Sequence, residues 1–280
     1  MGLFRNLCRR LLILKSINFT VKNFFYVVAI LVTFITYSCV KKDNFYSAKL
    51  AEISSLLKTE NQSIFDSMEL CERYIIDSQF DYPSIRKVLY DLLDINNLFI
   101  ISSYVDEKGI LRISVPTKYS GFEGADINHQ SHVKYVRDKK TRFIARKFRS
   151  AQGVEVFSYI LPIIKDSTYR GAINVLLSAE QFIVNLLRQC TMPPKTNVMF
   201  IQSDGEILYS DIPGFTNSNI LSPEFIDSYE IAQLLNNIIR SSGEGTIHYF
   251  TKKSKKRNQL FWKRVKMEIN SWTLILIKED

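Results

Sequence analysis

Apolar positions along this chain obey three successive rules, and each predicts a different kind of element. Phe24 to Val40 (FFYVVAILVTFITYSCV) is uncharged for 17 residues, at the short edge of what crosses a bilayer, where about 20 is usual. From Asn44 to Ile76 the apolar residues become periodic. Ile53, Leu57, Ile64, Met68, Cys71 and Ile75 recur at spacings of three, four or seven, which places them on one face of a long helix that neither Gly nor Pro interrupts. The spacing is close to heptad, so the stripe serves either a coiled coil with a second copy or the chain's own sheets. A turn at Asp81-Tyr82-Pro83 and a second helix, Ser84 to Leu93, follow. From Ile95 to Leu177 the period falls to two. NNLFIISSYVDEKGILRISVP reads as a hairpin turning at Glu107-Lys108-Gly109. GFEGADI and a polar helical insertion come next, and then three returning strands, TRFIARKF, VEVFSYILPII and YRGAINVLL. Such an order predicts a small antiparallel sheet with one covered face, of the kind that encloses a small-molecule pocket beneath its insertion. Turns at Asp204-Gly205 and around Gly243-Glu244-Gly245 separate further strands, and Ser271 to Ile277 is a last strand too short to span a membrane. The predicted class is α+β.

Composition narrows the compartment and the chemistry. At 280 residues and 46% hydrophobic, the chain has enough apolar material to bury a core. Its +9 charge is scattered along the sequence, which argues against nucleic acid as a partner. Met1 to Asn23 carries Arg5, Arg9, Arg10, Lys15 and Lys22 and no acidic residue. This basic flank stays in the cytoplasm and the body after residue 40 is exported. The apolar run reads as an uncleaved signal anchor. The alternative is a lipoprotein signal, with Ser38 before a lipid-modified Cys39. Cys8, Cys39, Cys71 and Cys190 form no CxxC pair, and three histidines stand far apart, so no metal or other cofactor is expected. Cys71 and Cys190 read as solitary thiols, with a disulfide between them as the other choice. No GxSxG, HExxH, Walker A or GxGxxG motif occurs, and no enzyme is expected.

The order strand, DEKG turn, strand ending at Pro116, GFEGADI, helical insertion, FIARKF, VFSYILPII, YRGAINVLL resembles the distal half of a double Cache sensor domain, the extracytoplasmic ligand-binding module of bacterial chemoreceptors and sensor kinases. NVMFIQSDGEILYSD, SGEGTIHYF and QLFWKRVKMEINSWTLILIKE resemble the opening hairpin and closing strands of its proximal half, and the helix from Asn44 resembles its stalk. The resemblance implies two PAS-like antiparallel sheets. Its layout is a basic N-terminus (1–23), an anchor (24–40), a stalk helix (44–80), a membrane-distal subdomain (81–190) and a membrane-proximal one (191–280). It implies a single-pass protein of the bacterial inner membrane with residues 41–280 outside, a small-molecule ligand, and a possible homodimer through the stalk. The sequence as given stops at Asp280, where a second span would begin, so signalling output is expected elsewhere. The alternative is a stand-alone solute-binding lipoprotein or an envelope interaction protein.

The family's amino-acid binders carry an Arg and an aromatic after the GxD turn and an Asp in the last distal strand. Here those positions fall near Gln130, His132 and Leu176, so the clamps for a carboxylate and an ammonium are missing and a free α-amino acid is not expected. A later aromatic of that pocket is kept as Phe148. The other candidate ligand contacts are Tyr104, Tyr135, Arg146 and Tyr159. Arg146 alternates with Ile144 and Phe148, so it is expected to point inward with them and to select an anion. Alanine at Tyr159 or Arg146 is expected to abolish binding with the fold intact. The run Lys252 to Arg257 (KKSKKR) reads as a solvated hairpin tip, or else as a contact for anionic lipid head groups.

Overall fold

A computed structural model describes residues 45–228, 230–241, 243–251 and 256–279. The basic N-terminus, the apolar run 24–40, Cys39 and the hairpin tip 252–255 lie outside the described residues. Helix α1 spans residues 45–77. Ile53, Leu57, Ile64, Met68, Cys71 and Ile75 are all buried, at 3% exposure or less, and an apolar side chain taken fully out of water contributes about 1.5–3 kcal/mol. The stripe therefore faces the chain's own sheets and is not available to a coiled coil. A stalk-to-stalk homodimer is left with the outer face, where Leu70 and Tyr74 are exposed. The helix ends where Gln79 and Phe80 take positive φ and Phe80 N–H bonds back to the Ile75 carbonyl. Asp81 then caps α2 (Tyr82–Ile95), accepting from Ser84 N at 3.0 Å and Ser84 Oγ at 2.7 Å, with Pro83 in the first turn.

The first sheet holds β1 (Phe99–Asp106), β2 (Leu111–Val115), β3 (Phe143–Ile144), β4 (Phe148–Arg149), β5 (Glu155–Lys165) and β6 (Thr168–Leu177). Its order is β2-β1-β6-β5-β3, antiparallel throughout, with β4 also pairing β5. Between β2 and β3 lies the insertion, a 3-10 turn at Thr117–Phe122 and helix α3 (Ser131–Lys139). The expectation of one covered face needs correction, because β1, β5 and β6 are buried along almost every residue. Strands covered on both sides read as continuous apolar runs, which VFSYILPII and GAINVLL are. One face carries Tyr104, Ile113, Phe157, Tyr159, Ile173 and Val175. Tyr159 meets α1 through Phe65 (ring centroids 5.3 Å) and through a hydrogen bond donated to Asn61 Oδ1. The other face carries Ile101, Ser103, Val156, Ser158, Asn174 and Leu176, and lies under the insertion.

After α4 (Ala179–Arg188), capped by Ser178 Oγ, comes the second sheet: β7 (Thr196–Gln202), β8 (Ile207–Ser210), β9 (Glu244–Thr251), β10 (Lys256–Met267) and β11 (Asn270–Glu279). Its order is β8-β7-β11-β10-β9. Met199, Ile201, Leu260 and Ile275 pack on one face against Leu235 and Ile239 of α6 (Ala232–Arg240), which follows the short α5 (Pro223–Ser228). The sheets meet at aromatic contacts: Trp272 of β11 lies 5.6 Å from Phe157 and 6.2 Å from Phe182 of α4. Asn61 ties the same seam, accepting from Tyr159 and donating to the Met267 sulfur at 3.3 Å. Among the described residues no helix is long and apolar enough to cross a membrane.

Candidate functional site

The β1–β2 hairpin sets the position of the site. Asp106 accepts from Lys108 N and Ile110 N, both at 2.9 Å, and from Arg112 Nε at 2.6 Å, closing the DEKG turn. GFEGADI is tied down by Glu123, which takes both terminal nitrogens of Arg86 at 2.9 Å and the Ser114 N–H at 2.9 Å. These clasps hold the insertion over the sheet. Beneath it Ser103 of β1 and Asn174 and Leu176 of β6 form a floor. Leu111, Ile127, Gln130, Phe148, Ser150, Ala151 and Gln152 form the walls and cover.

Every polar group of this cavity is neutral. Ser158 Oγ donates to Asn174 Oδ1, Ser103 Oγ donates to the Asn174 carbonyl at 3.3 Å, and Gln152 Nε2 donates to Ser114 Oγ at 3.4 Å. The cavity measures about 10 Å³, room for one water. Anything larger than a water would fit only if the cover, the 149–154 turn and the N-terminal end of α3, moved away from the floor.

The residues expected from the sequence divide by face. Gln130 and Phe148 line the cavity. His132 backs Phe148, ring centroids 4.6 Å apart, and is buried with Nε2 lacking a hydrogen-bond partner. Burial moves its pKa down to about 4. Tyr135 does not line the cavity; it is half-buried with its ring tilted on Phe143, centroids 4.7 Å apart.

Tyr104, Tyr159 and Arg146 stand outside this cavity, and the inward direction expected of Arg146 is corrected. Tyr104 and Tyr159 lie on the opposite face, because side chains alternate along a strand and Ser103 and Ser158 take the cavity side. The Tyr104 hydroxyl donates to the Arg170 carbonyl at 2.9 Å, and its ring occupies the space that a side chain at Gly171 (φ +133°) would need. Tyr159 is wholly buried against α1, and burial pushes its phenol well above the usual range. Arg146 is exposed and paired with Asp204 at 3.3 Å. It falls in the break between β3 and β4, where alternation does not carry through.

Ser103, Ser150, Gln152 and Asn174, none of them among the residues expected from the sequence, also line the cavity. For Ser103 and Asn174 strand alternation held the signal, once it was known which face the helices take; Ser150 and Gln152 lie in the turn between β4 and β5, where alternation gives none. Cys71 and Cys190 are free. Cys71 is buried with its thiol directed at the Val88 carbonyl, and its pKa is pushed up to about 12, first by burial and then by Asp91. Cys190 is only half-buried. Among the described residues no His, Cys, Asp or Glu cluster is placed to hold a metal ion.

Residues 68–179 match the family model of the HK/GC/chemotaxis protein-like sensor domain. An extracellular ligand-binding receptor from Desulfohalobium retbaense superposes with a TM-score of 0.67 at 16% identity, covering 82% of this chain and 39% of that one. This chain thus spans well under half of that receptor. The ligand-binding domain of the Pseudomonas fluorescens chemoreceptor CtaA, in complex with L-serine, gives 0.62 at 13% identity, over 85% of this chain and 96% of that one. That of the Pseudomonas aeruginosa amino acid chemoreceptor PctB, in complex with L-Arg, gives 0.61 at 13%, over 85% and 94%. At such identities the likeness is one of fold, the double Cache arrangement of a long helix and two PAS-like sheets. No protein of curated function matches the chain.

Proposed function

We propose that this chain, double Cache in fold and a sensor domain of the HK/GC/chemotaxis type over residues 68–179, is the tethered extracytoplasmic sensing module of a signalling receptor, and that it binds an uncharged polar solute under the insertion of its first sheet. The reading is of a single-pass protein of the bacterial inner membrane, with residues 41–280 outside, the first sheet membrane-distal and the second membrane-proximal. It is a binding module without catalysis, and a second copy would pair through the outer face of α1.

One observation carries the choice of ligand. None of the ten residues lining the cavity is ionisable. A charge brought into such a site loses its hydration and gains no counter-charge, a cost of several kcal/mol. Hydroxyls and amides, by contrast, match a solute with a mixed set of donors and acceptors. A free α-amino acid, with two charges, is disfavoured twice. Transmission follows from the strand: Asn174 and Leu176 floor the cavity, while Ile173 and Val175 between and beside them face α1. A solute that binds the open cover better than the closed one shifts α1 by that difference in affinity.

Thermal unfolding of the full chain in non-ionic detergent tests this. Among polyols, amides, neutral nucleobases, carboxylates, amines and α-amino acids, a neutral solute is expected to raise the midpoint. At one hundred times the dissociation constant it adds about 2.7 kcal/mol, several degrees for a body this size at roughly 2–4 °C per kcal/mol. Gln152→Ala and Asn174→Ser are expected to reduce the response at least tenfold in concentration. A carboxylate or amino acid hit that survives both substitutions would sink the assignment. The anchor is tested separately. Cys39→Ser is expected to leave the protein in the membrane fraction with unchanged mass otherwise, as an uncleaved span requires; accumulation of uncleaved precursor together with loss of a lipid mass would assign the lipoprotein route instead.

A further inference from the structure

Arg146 leaves the cavity but enters another cleft. The segment joining β3 to β4 carries it over the β7–β8 turn of the second sheet, where its Nη1 meets Asp204. Beyond that pair opens a cavity of about 460 Å³, lined by Arg146, Ser203, Arg264, Lys266, Asn270 and Ser271 among others, and none of its lining residues is acidic. Arg264 of β10 is anchored from behind. Its terminal nitrogens donate to the Ile239 and Ser241 carbonyls at 2.6 and 3.1 Å, at the C-terminal end of α6, while its Nε is buried without a hydrogen-bond partner. Lys266, two residues on along the same face of β10, is exposed. Asn270 is held in place by donating to the Ile144 carbonyl at 2.7 Å, which fastens the β10–β11 turn to the first sheet. Arg146 and Lys266 thus border the cleft beside Asp204, with two serines among its lining residues, while Arg264 also lines it with its terminal nitrogens held by the α6 carbonyls.

We propose that this cleft is a second binding site, selective for a small oxyanion of the phosphate class. A guanidinium presents its donors as a planar fork that matches phosphate oxygens, and an ammonium adds a point charge from the other side. Arg146 belongs to the β3–β4 connection of the first sheet and Arg264 and Lys266 to β10 of the second, so a bound oxyanion bridges them and fixes how the two sheets meet. The site is separate from the neutral cavity under the insertion, and it stands or falls independently of it.

The experiment is calorimetric titration of the full chain in non-ionic detergent with inorganic phosphate, at ionic strength held constant with sodium chloride. Intrinsic fluorescence serves as a second readout, because both tryptophans of the chain, Trp262 and Trp272, lie on β10 and β11. Saturable one-site binding is expected. Arg146→Gln or Lys266→Gln should weaken it about tenfold or more, as loss of a charged hydrogen bond does, with Lys134→Gln on α3 and Gln152→Ala in the neutral cavity leaving it unchanged. Absence of saturable binding, or an equal loss with Lys134→Gln, overturns the proposal, the latter by showing that only diffuse positive charge is at work.

Discussion

Alanine at Tyr159 is expected to destabilise the protein by about 3–5 kcal/mol, the range for removing a large buried aromatic. Tyr159 is wholly buried. It packs edge-on against Phe65 of α1 at 5.3 Å and against Phe157 at 5.5 Å, and Phe157 in turn touches Trp272 of the second sheet. Truncation opens a cavity where α1 and both sheets converge, and it strands the Asn61 carbonyl that also orients Asn61 toward Met267. Tyr159→Phe keeps the ring and loses only the hydroxyl, so it should cost about 1 kcal/mol. The two variants are compared by denaturant titration without any ligand, with the slope monitored to confirm that the transition is unchanged in kind. A ligand contact behaves otherwise: Tyr159→Ala would then lose ligand response while keeping its unliganded stability, and that outcome would return Tyr159 to the binding site.

The contrast shows what the amino-acid pattern could and could not convey. The 3.6-residue period of α1 was plain because six apolar positions share one face over several turns, and the strands were plain because their apolar runs end at turn residues. Alternation also told which strand residues travel together, Tyr104 apart from Ser103 and Tyr159 apart from Ser158. It cannot tell which of two faces meets the helices when both are buried, since an aromatic core and an aromatic pocket have the same period. Arg146 departs from its expected inward direction for a different reason. Phase is kept only along an unbroken strand, and β3 and β4 are two short pieces with residues 145–147 between them. Phe148 lines the cavity beyond that break and Arg146 does not. That Gln130 lines the cavity and His132 backs it could not be read from alternation either, because both lie in the insertion outside any strand.

Acidification from pH 7 to pH 4 is expected to remove on the order of 3 kcal/mol of stability through His132 alone. Its folded pKa is lowered to about 4 from an ordinary 6.5 by burial, and each unit corresponds to 1.36 kcal/mol. Between those values the unfolded chain binds the proton and the folded chain does not, so stability rises with pH through that window and is lost as pH falls through it. Well above pH 6.5 the imidazole is neutral in both states and contributes no slope. Two carboxylates act in the opposite sense. Glu72, which accepts from the Ile164 N–H, and Asp211, which accepts from the Val198 N–H, are each raised, burial being the largest cause. A group whose folded pKa is raised is favoured by acid, so these two offset part of the loss. The measurement is therefore a difference: denaturant stability of the wild type and of His132→Phe at half-unit steps from pH 4 to pH 7.5. The substitution keeps an aromatic ring against Phe148 and removes the titrating nitrogen, so the variant's curve should lack the fall that sets in below pH 6.5. Parallel curves would mean that His132 takes up its proton in the folded protein at an ordinary pH, which requires its Nε2 to reach water or an acceptor. The cover over the neutral cavity would then stand open at α3 in solution, and solute entry would need no movement of that helix.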